Sequence, residues 1–162
     1  GCSSGEEPYS IGMVLLENQK GLAGWDIRLL GTDLSTKVLA TAGEGVYDET
    51  RFRDTPRELI QRYFALIQKQ PVKKYKVKDN LRRVVSFARL NLMDHWPMRG
   101  PFDAIFCRNV MIYFDKPTQG RLVNRFFDIL APGGTLFIGH SESLTGIQHR
   151  YRYVQPTVYL KP

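Results

Sequence analysis

The chain has 162 residues, of which 43% are hydrophobic and 24% are charged, and its formal net charge at pH 7 is +7. These values suit a single globular domain with a hydrophobic core, and no apolar run approaches the roughly 20 residues that a membrane-spanning helix needs. Two cysteines cannot form a disulfide framework, and the three histidines lack the spacing of a zinc site. We therefore expect a reduced cytoplasmic protein without a bound metal.

The first ten residues, GCSSGEEPYS, are typical of a small-residue loop that leads directly into a helix. Glycines allow a backbone to approach a ligand closely, and such a loop normally follows a buried strand and binds a nucleotide-like cofactor. No strand pattern precedes this loop, so we expect that the chain is truncated at its N-terminus and that the first strand of its sheet is missing. The helix continues over residues 11–16 and is predicted to end near Gly21.

Strand and helix patterns alternate through the rest of the chain. The predicted strands cover residues 25–31, 72–78, 84–90, 102–107, 135–139, 151–153 and 157–160. The predicted helices cover residues 36–40, with Ser35 as N-cap and with Gly43 and Gly45 as the stop, 56–68 and 118–130. We expect residues 102–107 to be buried on both faces and residues 132–134 to form a turn. This order predicts a doubly wound α/β sheet that is mostly parallel, with antiparallel strands at the C-terminus.

The excess of positive charge is concentrated between residues 69 and 83, where Asp79 is the only acidic residue. Lysines alternate there with Tyr75 and Val77, which predicts a small basic β-hairpin inserted at about residues 69–83. A basic patch of this kind can attract nucleic acid, anionic lipid or an acidic protein.

Candidate ligand-binding residues, most of them polar, lie at the ends of three predicted strands, where the ligands of open α/β sheets bind. They are Asp33 after the first of these strands, Asn91 and Leu92 after the next, and Cys107, Arg108 and Asn109 after the third. A carboxylate at such a position is the usual partner of ribose hydroxyls. A dinucleotide fits less well, because the opening loop is not Gly-x-Gly-x-x-Gly and because Glu6 and Glu7 stand where a pyrophosphate needs N–H donors. The acids favour S-adenosylmethionine, which is cationic and carries no phosphate.

Five segments resemble the chemotaxis-receptor glutamate methyltransferases of the CheR type, and the resemblance covers nearly the whole chain. The segments are GCSSGEEPYS (1–10), GTDLS (31–35), FDAIFCRNVMIYF (102–114), APGG (131–134) and GHSESL (139–144). The resemblance implies a Rossmann-like methyltransferase fold and a domain that covers residues 1–162. It also implies methyl transfer from S-adenosylmethionine to glutamates in the cytoplasmic domain of methyl-accepting chemotaxis receptors. The products are glutamyl methyl esters and S-adenosylhomocysteine, and neither nucleic acid nor membrane insertion is expected.

The resemblance also implies the site residues. It places Glu7 near the methionine end of the cofactor and Asp33 at the ribose. It places Asn91 and Leu92 on either side of the adenine, and Cys107, Arg108 and Asn109 under the cofactor. Tyr113 is the implied catalytic residue, close to the methyl group. Alternatives stay open on the residues alone, since Glu7 can be a plain first-turn acid, Asp33 can be an N-terminal helix acid and Tyr113 can pack in the core.

The sequence departs from this family in two places. Family members carry an N-terminal helical domain before the first strand, so this chain is expected to bind the cofactor weakly and to turn over slowly. Some relatives carry a glycine-containing subdomain that docks the receptor's C-terminal peptide, whereas residues 65–83 contain no glycine. This argues against peptide tethering. Lys74, Lys76 and Lys78 are instead expected to steer the enzyme toward acidic receptor helices, in a manner that salt weakens.

Two other function classes compete with this one. The chain can be a non-catalytic domain that binds S-adenosylmethionine as a sensor or scaffold, or a nucleic-acid methyltransferase recruited by the basic patch. The second is disfavoured because residues 109–111 read Asn-Val-Met rather than Asn-Pro-Pro. We also predict that Cys2 and Cys107, both at strand ends, act as small hydrophobic residues and approach each other closely.

Overall fold

A computed structural model describes residues 1–18, 21 and 24–162. The chain divides into two compact units, one formed by Cys2–Leu90 and the other by Asn91–Pro162 together with Gly1. Within the described ranges, no helix combines the length and the apolar character that crossing a bilayer requires.

The described residues of the first unit include four α-helices and five strands. The helices are α1 (Glu6–Glu17), α2 (Thr36–Glu44), α3 (Arg57–Tyr63) and α4 (Asp79–Arg82), and the strands are β1 (Leu29–Asp33), β2 (Val46–Asp48), β3 (Phe64–Gln68), β4 (Lys74–Val77) and β5 (Val85–Arg89). Strands β1 and β5 pair in parallel, with Asp33 opposite Arg89. Strands β2, β4 and β3 form a separate antiparallel sheet in that order.

Local signals explain the helix boundaries next to β1. The Ser35 hydroxyl accepts a hydrogen bond from the Val38 N–H at 3.5 Å, which makes Ser35 the N-cap of α2 as predicted. Helix α2 ends at Gly45, whose φ of 64° is left-handed, while Gly43 lies inside the helix rather than stopping it. Helix α1 ends at Glu17, before the predicted Gly21, because the Asn18 side chain donates to the Val14 carbonyl and closes the last turn.

The core of the first unit joins α1 to both of its sheets. The buried cluster contains Tyr9, Met13, Tyr47, Tyr63, Phe64, Val77, Leu81 and Val85. Gly12 allows α1 to lie close to α4, since a Cβ there would be 2.7 Å from Leu81 Cδ1. The core therefore ties α1 to strands from both sheets.

Two boundaries in the first unit differ from the prediction. Strand β1 begins at Leu29 rather than at residue 25, because ladder pairing with β5 starts there and Trp25 is exposed. The predicted helix over residues 56–68 is wrong in its second half, where Phe64–Gln68 form β3 instead. Pairing with β4 and packing of Phe64 against Phe52 select the strand, since a short apolar run fits either period.

The three-stranded sheet confirms the predicted alternation along β4. Lys74 and Lys76 are exposed, whereas Val77 is buried and the Tyr75 ring packs edge-on against Phe52. Lys78 differs from the prediction, because its Nζ donates to the Gln61 carbonyl at 2.6 Å. The hairpin partner of β4 is β3, β2 adds a third strand that the sequence did not indicate, and residues 79–82 are helical.

The second unit contains α5 (Lys116–Ile129) and strands β6 (Phe102–Cys107), β7 (Leu130–Ile138), β8 (Arg152–Gln155) and β9 (Val158–Leu160). The strand order is β6-β7-β9-β8, with a parallel β6–β7 pair and antiparallel pairs elsewhere, as predicted. Asp115 caps α5 by accepting from the Thr118 N–H at 2.9 Å, and Leu122, Val123 and Phe126 are its buried residues.

Three expectations for this unit were wrong. Strand β6 is not buried on both faces, since only Cys107 is buried, and β6 is the outer strand of its sheet with one paired neighbour among the described residues. Residues 132–134 form a bulge inside β7 rather than a turn before it, because the β6 pairing jumps from Leu130 to Thr135 and Gly133 has a φ of 76°. Leu130, placed on the helix by its periodicity, begins β7.

Candidate functional site

A tight loop precedes α1 in the first unit, and we call residues 2–5 the glycine loop. Its first N–H, that of Cys2, donates to the Thr32 carbonyl of β1 at 2.7 Å, and the Gly5 N–H turns back to the Cys2 carbonyl at 3.1 Å. Ser3 and Gly5 are both left-handed, with φ of 48° and 93°. The sequence therefore folds into a compact loop that is anchored to the strand carrying Asp33.

Asp33 is the last residue of β1 and is half-buried beside the glycine loop. Its Oδ2 accepts from the Ser3 N–H at 2.9 Å, and its Oδ1 accepts from the Ser35 N–H at 3.0 Å. Each carboxylate oxygen offers about two acceptor positions, so both retain capacity for a ligand. The carboxylate is thus fixed in direction and can accept two hydroxyl groups, which is what a ribose offers.

Tyr47 is a residue of this site that the sequence analysis missed. Its hydroxyl donates to the Ser4 carbonyl at 2.7 Å and holds the glycine loop against β2. Burial raises the pKa of the Tyr47 phenol, so the hydroxyl stays a donor at neutral pH. Glu6 adds a second tie, since it accepts from the Ser4 hydroxyl at 2.7 Å and pairs with Arg51 at 3.2 Å. The Ser4–Glu6 contact is local, whereas the Tyr47 contact and the Glu6–Arg51 pair depend on the unpredicted strand β2 and the turn after it, so no local signal could reveal them.

Replacing Tyr47 by phenylalanine is expected to weaken S-adenosylhomocysteine binding about three- to tenfold, the value of one neutral hydrogen bond. Tyr9→Phe is the matched control. Tyr9 is also buried, packs edge-on against Tyr47 at 6.2 Å, and donates to the Ala42 carbonyl rather than to the loop. Calorimetric titration of both variants checks the prediction, and an equal loss of affinity in the two would contradict it.

Glu7 and Cys2 complete the predicted residues of the first unit. Glu7 lies in the first turn of α1 and is half-buried, a position that suits both the helix N-terminus and a cationic ligand. Burial raises the pKa of the Cys2 thiol to about 11, so Cys2 remains a neutral thiol at physiological pH. Its predicted role as a small hydrophobic residue stays a prediction.

Asn91 and Leu92 open the second unit in a loop that is held by its own contacts. The Asn91 side-chain oxygen accepts from the Met93 N–H at 3.0 Å. The Leu92 carbonyl accepts from Arg125 Nη1 at 2.7 Å and from the Trp96 indole N–H at 3.2 Å. The Arg125 guanidinium also lies 3.9 Å from the centre of the Trp96 ring. These contacts fix the backbone that presents Asn91 and Leu92.

The segment after β6 carries the remaining predicted residues. Cys107 is buried, Arg108 is half-buried, and Asn109 is left-handed with a φ of 57°. A 3₁₀ turn over Met111–Tyr113 follows, and the Tyr113 side chain is 80% exposed. That exposure contradicts the alternative that Tyr113 packs in the core.

The structure therefore places the predicted residues in two groups. Asp33 and Glu7 lie around the glycine loop of the first unit, and Cys107, Arg108, Asn109 and Tyr113 follow one another in the second. Glu142, which the sequence analysis also missed, accepts hydrogen bonds from the backbone of this second group. Both cysteines are free thiols, and because they belong to different units their close approach stays a prediction.

Parallel strand pairs, a glycine loop and an acid at the next strand end are typical of Rossmann-like proteins that bind a nucleotide-like cofactor. A family match narrows this class to the S-adenosylmethionine-dependent methyltransferases. The solved structure of PKMT2 from Rickettsia typhi shares this fold, with a TM-score of 0.50 and 17% sequence identity over 85% of this chain and 19% of that chain. The family described as CheR methyltransferase, SAM binding domain, matches residues 1–160. The chain belongs to this CheR methyltransferase family, and its cofactor is S-adenosylmethionine.

Curated relatives agree with this assignment. A probable chemotaxis protein methyltransferase from Rhizobium etli is 40% identical over 158 residues, which cover 97% of this chain and 59% of the relative. Chemotaxis protein methyltransferases from Borreliella burgdorferi and Pseudomonas aeruginosa are each 43% identical, over 99% and 98% of this chain and 56% of each relative. The chain thus spans a little more than half the length of the curated relatives it matches.

Proposed function

We propose that this protein transfers the methyl group of S-adenosylmethionine to glutamate side chains of chemotaxis receptors in the cytoplasm and forms glutamyl methyl esters. The observation that carries the proposal is the Asp33 carboxylate, held by the glycine loop of a chain that belongs to the CheR methyltransferase family. The names of the relatives supply the link to chemotaxis. We further propose that residues 1–162 form the cofactor-binding domain of this enzyme.

The donor set fits the cofactor. In the first unit, Asp33 would accept the ribose hydroxyls and Glu7 would face positive charge at the methionine end. In the second unit, Asn91 and Leu92 would flank the adenine, and Cys107, Arg108 and Asn109 would line the cofactor. Two acids near the glycine loop disfavour a pyrophosphate in this position, because like charges repel. When bound, S-adenosylmethionine supplies an electrophilic methyl group on a positively charged sulfur.

The reaction does not require the protein to add a proton to the substrate or to remove one from it. A glutamate with an ordinary pKa of about 4.3 is already ionised at neutral pH, so no general base is needed to activate it. The protein contributes by orienting the carboxylate and by removing part of its water shell. Tyr113 suits the first task, because an exposed phenol on a short turn can donate a hydrogen bond to an incoming carboxylate.

The proposed partner is an acidic segment of the receptor's cytoplasmic domain. Lys74 and Lys76 point away from the core of the three-stranded sheet and are exposed, and so they can steer such a segment toward the enzyme. Lys78 is engaged by the Gln61 carbonyl and is left out of this surface. Nothing in this partner assignment requires peptide tethering.

The test is methyl transfer from labelled S-adenosylmethionine to a receptor cytoplasmic domain, measured with the native-length protein. Base-labile label on the receptor is expected, and Tyr113→Ala should lower kcat about ten- to a hundredfold by removing one hydrogen bond to a charged group. Tyr153→Ala is the control, because Tyr153 is an exposed tyrosine on β8 of the same unit. Cofactor binding without transfer would favour the sensor, and label in nucleic acid instead of receptor would overturn the proposal.

A further inference from the structure

The Glu142 carboxylate collects backbone N–H groups from two separate strand ends of the second unit. Its Oε2 accepts from Gly139 at 2.6 Å and from Asn109 at 3.0 Å. Its Oε1 accepts from Val110 at 2.9 Å, from Met111 at 2.7 Å and from Ile112 at 3.3 Å. Both oxygens are thus occupied by the backbone and have little acceptor capacity left for a cofactor or a substrate.

These donors belong to a stretch of backbone that lies outside helices and sheets. Residues 108–110 connect β6 to the 3₁₀ turn, and Met111 and Ile112 are the first two residues of that turn, where N–H groups have no partner within the turn. The left-handed Asn109 makes these successive N–H groups converge on one point. Converging N–H groups attract an anion, and leaving them unpaired would cost free energy. The chain supplies the anion itself, from the loop after β7.

Gly139 makes this arrangement sterically feasible. A Cβ at position 139 would lie 2.8 Å from Glu142 Oε2 and 2.9 Å from the Asn109 nitrogen, closer than side-chain atoms approach in practice. The Gly-His-Ser-Glu stretch therefore has a physical meaning, since its glycine admits the carboxylate that its glutamate provides. We call Glu142 and the N–H groups it accepts the carboxylate clamp.

The clamp determines where Tyr113 sits. The side chain of Tyr113 is 80% exposed, so its position depends on its backbone. The carboxylate clamp holds the N–H side of that backbone up to residue 112. Gln119 Nε2 holds the carbonyl side by donating to Met111 and Phe114, each at 2.9 Å.

We infer that Glu142 is a positioning residue for methyl transfer, which fixes the turn that presents Tyr113 to the receptor carboxylate. This inference rests on the proposed function. If Glu142 were merely structural, replacing it would lower stability and leave kcat unchanged far below the melting temperature. If Glu142 is a positioning residue, replacing it lowers kcat in the folded protein and leaves the KM for receptor nearly unchanged.

Glu142→Gln in the native-length protein tests the inference. The amides of residues 109–112 should exchange with solvent at least about tenfold faster, and kcat should fall about tenfold or more, because charge-assisted hydrogen bonds are replaced by weaker ones. The control is Asp128→Asn, which removes an exposed carboxylate that pairs with Arg150 in the same unit. Gly139→Ala provides a second route to the same result, since its methyl group displaces the Glu142 carboxylate.

A double variant, Glu142→Gln with Tyr113→Phe, separates the positioning role of Glu142 from the catalytic role of Tyr113. If Glu142 acts through Tyr113, the effects of Glu142→Gln and Tyr113→Phe on kcat are not additive. Unchanged exchange and unchanged kcat in Glu142→Gln, alongside a low kcat in Tyr113→Phe, overturn the inference and leave the proposed function intact. Faster exchange in Glu142→Gln with normal kcat in both variants overturns the role of Tyr113. Additive losses also overturn the inference.

Discussion

Asp33→Ala is expected to weaken S-adenosylhomocysteine binding by about ten- to a hundredfold, which corresponds to about 1.5–3 kcal/mol for hydrogen bonds to a charged group. The carboxylate contributes in two ways. It offers the acceptor positions for the ribose, and it holds the Ser3 N–H at 2.9 Å, so its loss also releases the glycine loop. Calorimetric titration of the native-length protein measures the change.

Two controls separate these contributions. Asp33→Asn keeps one acceptor oxygen and the side-chain shape, and we expect a smaller loss than for alanine. Asp26→Ala removes an exposed acid that pairs with Arg28 and that, among the described residues, bonds neither to the glycine loop nor to α2, so this variant should bind normally. Equal affinities for Asp33→Ala and the unmodified protein would refute the assignment of Asp33 to the ribose.

Gly5→Ala is expected to lower the free energy of unfolding by about 2–5 kcal/mol, the sum of left-handed strain and overpacking. Gly5 has a φ of 93°, and a Cβ there would lie 2.8 Å from Ala42 Cβ and 3.0 Å from the Tyr47 hydroxyl. Relief of these contacts requires the glycine loop to move away from α2. Cofactor affinity should therefore fall together with stability, as measured by urea unfolding and by titration.

Two other glycines calibrate this effect. Gly133→Ala meets the same kind of backbone strain, at a φ of 76°, but finds nothing within 4 Å. It should cost only about 1 kcal/mol. Gly43 lies inside α2, has no left-handed φ and has no neighbour within 4 Å of an added Cβ. Gly43→Ala should therefore stabilise the protein by about 0.5–1 kcal/mol. If Gly5→Ala were no worse than Gly133→Ala, the close approach of the loop to α2 would not constrain the structure.

The parts of the site that depend on neighbours in sequence could be predicted. Asp33 ends a strand and Ser35 caps the following helix, as their positions in the sequence predict, and ribose binding by Asp33 stays a prediction. The parallel pairing of β6 with β7 and the antiparallel pairing of β8 with β9 followed from the order of strand and helix patterns along the chain. These features involve only segments whose own patterns identify them as strands.

The remaining parts depend on contacts between distant segments. Residues 64–68 became a strand because β4 pairs with them, and β2 is a three-residue strand too short to show a period. Tyr47 reaches a carbonyl 43 positions away, and Glu142 reaches N–H groups more than 29 positions away. No local pattern encodes these partners, although both residues support groups that the sequence did single out.

The contact between Tyr47 and the Ser4 carbonyl has a consequence for regulation. It joins the three-stranded sheet, with its exposed lysines, to the segment expected to hold the methyl donor. A macromolecule that settles on that sheet and shifts Tyr47 must alter donor affinity. Thermodynamic reciprocity then requires the donor to alter the macromolecule's affinity by an identical factor. Binding of the receptor and binding of the methyl donor would in that case be thermodynamically coupled.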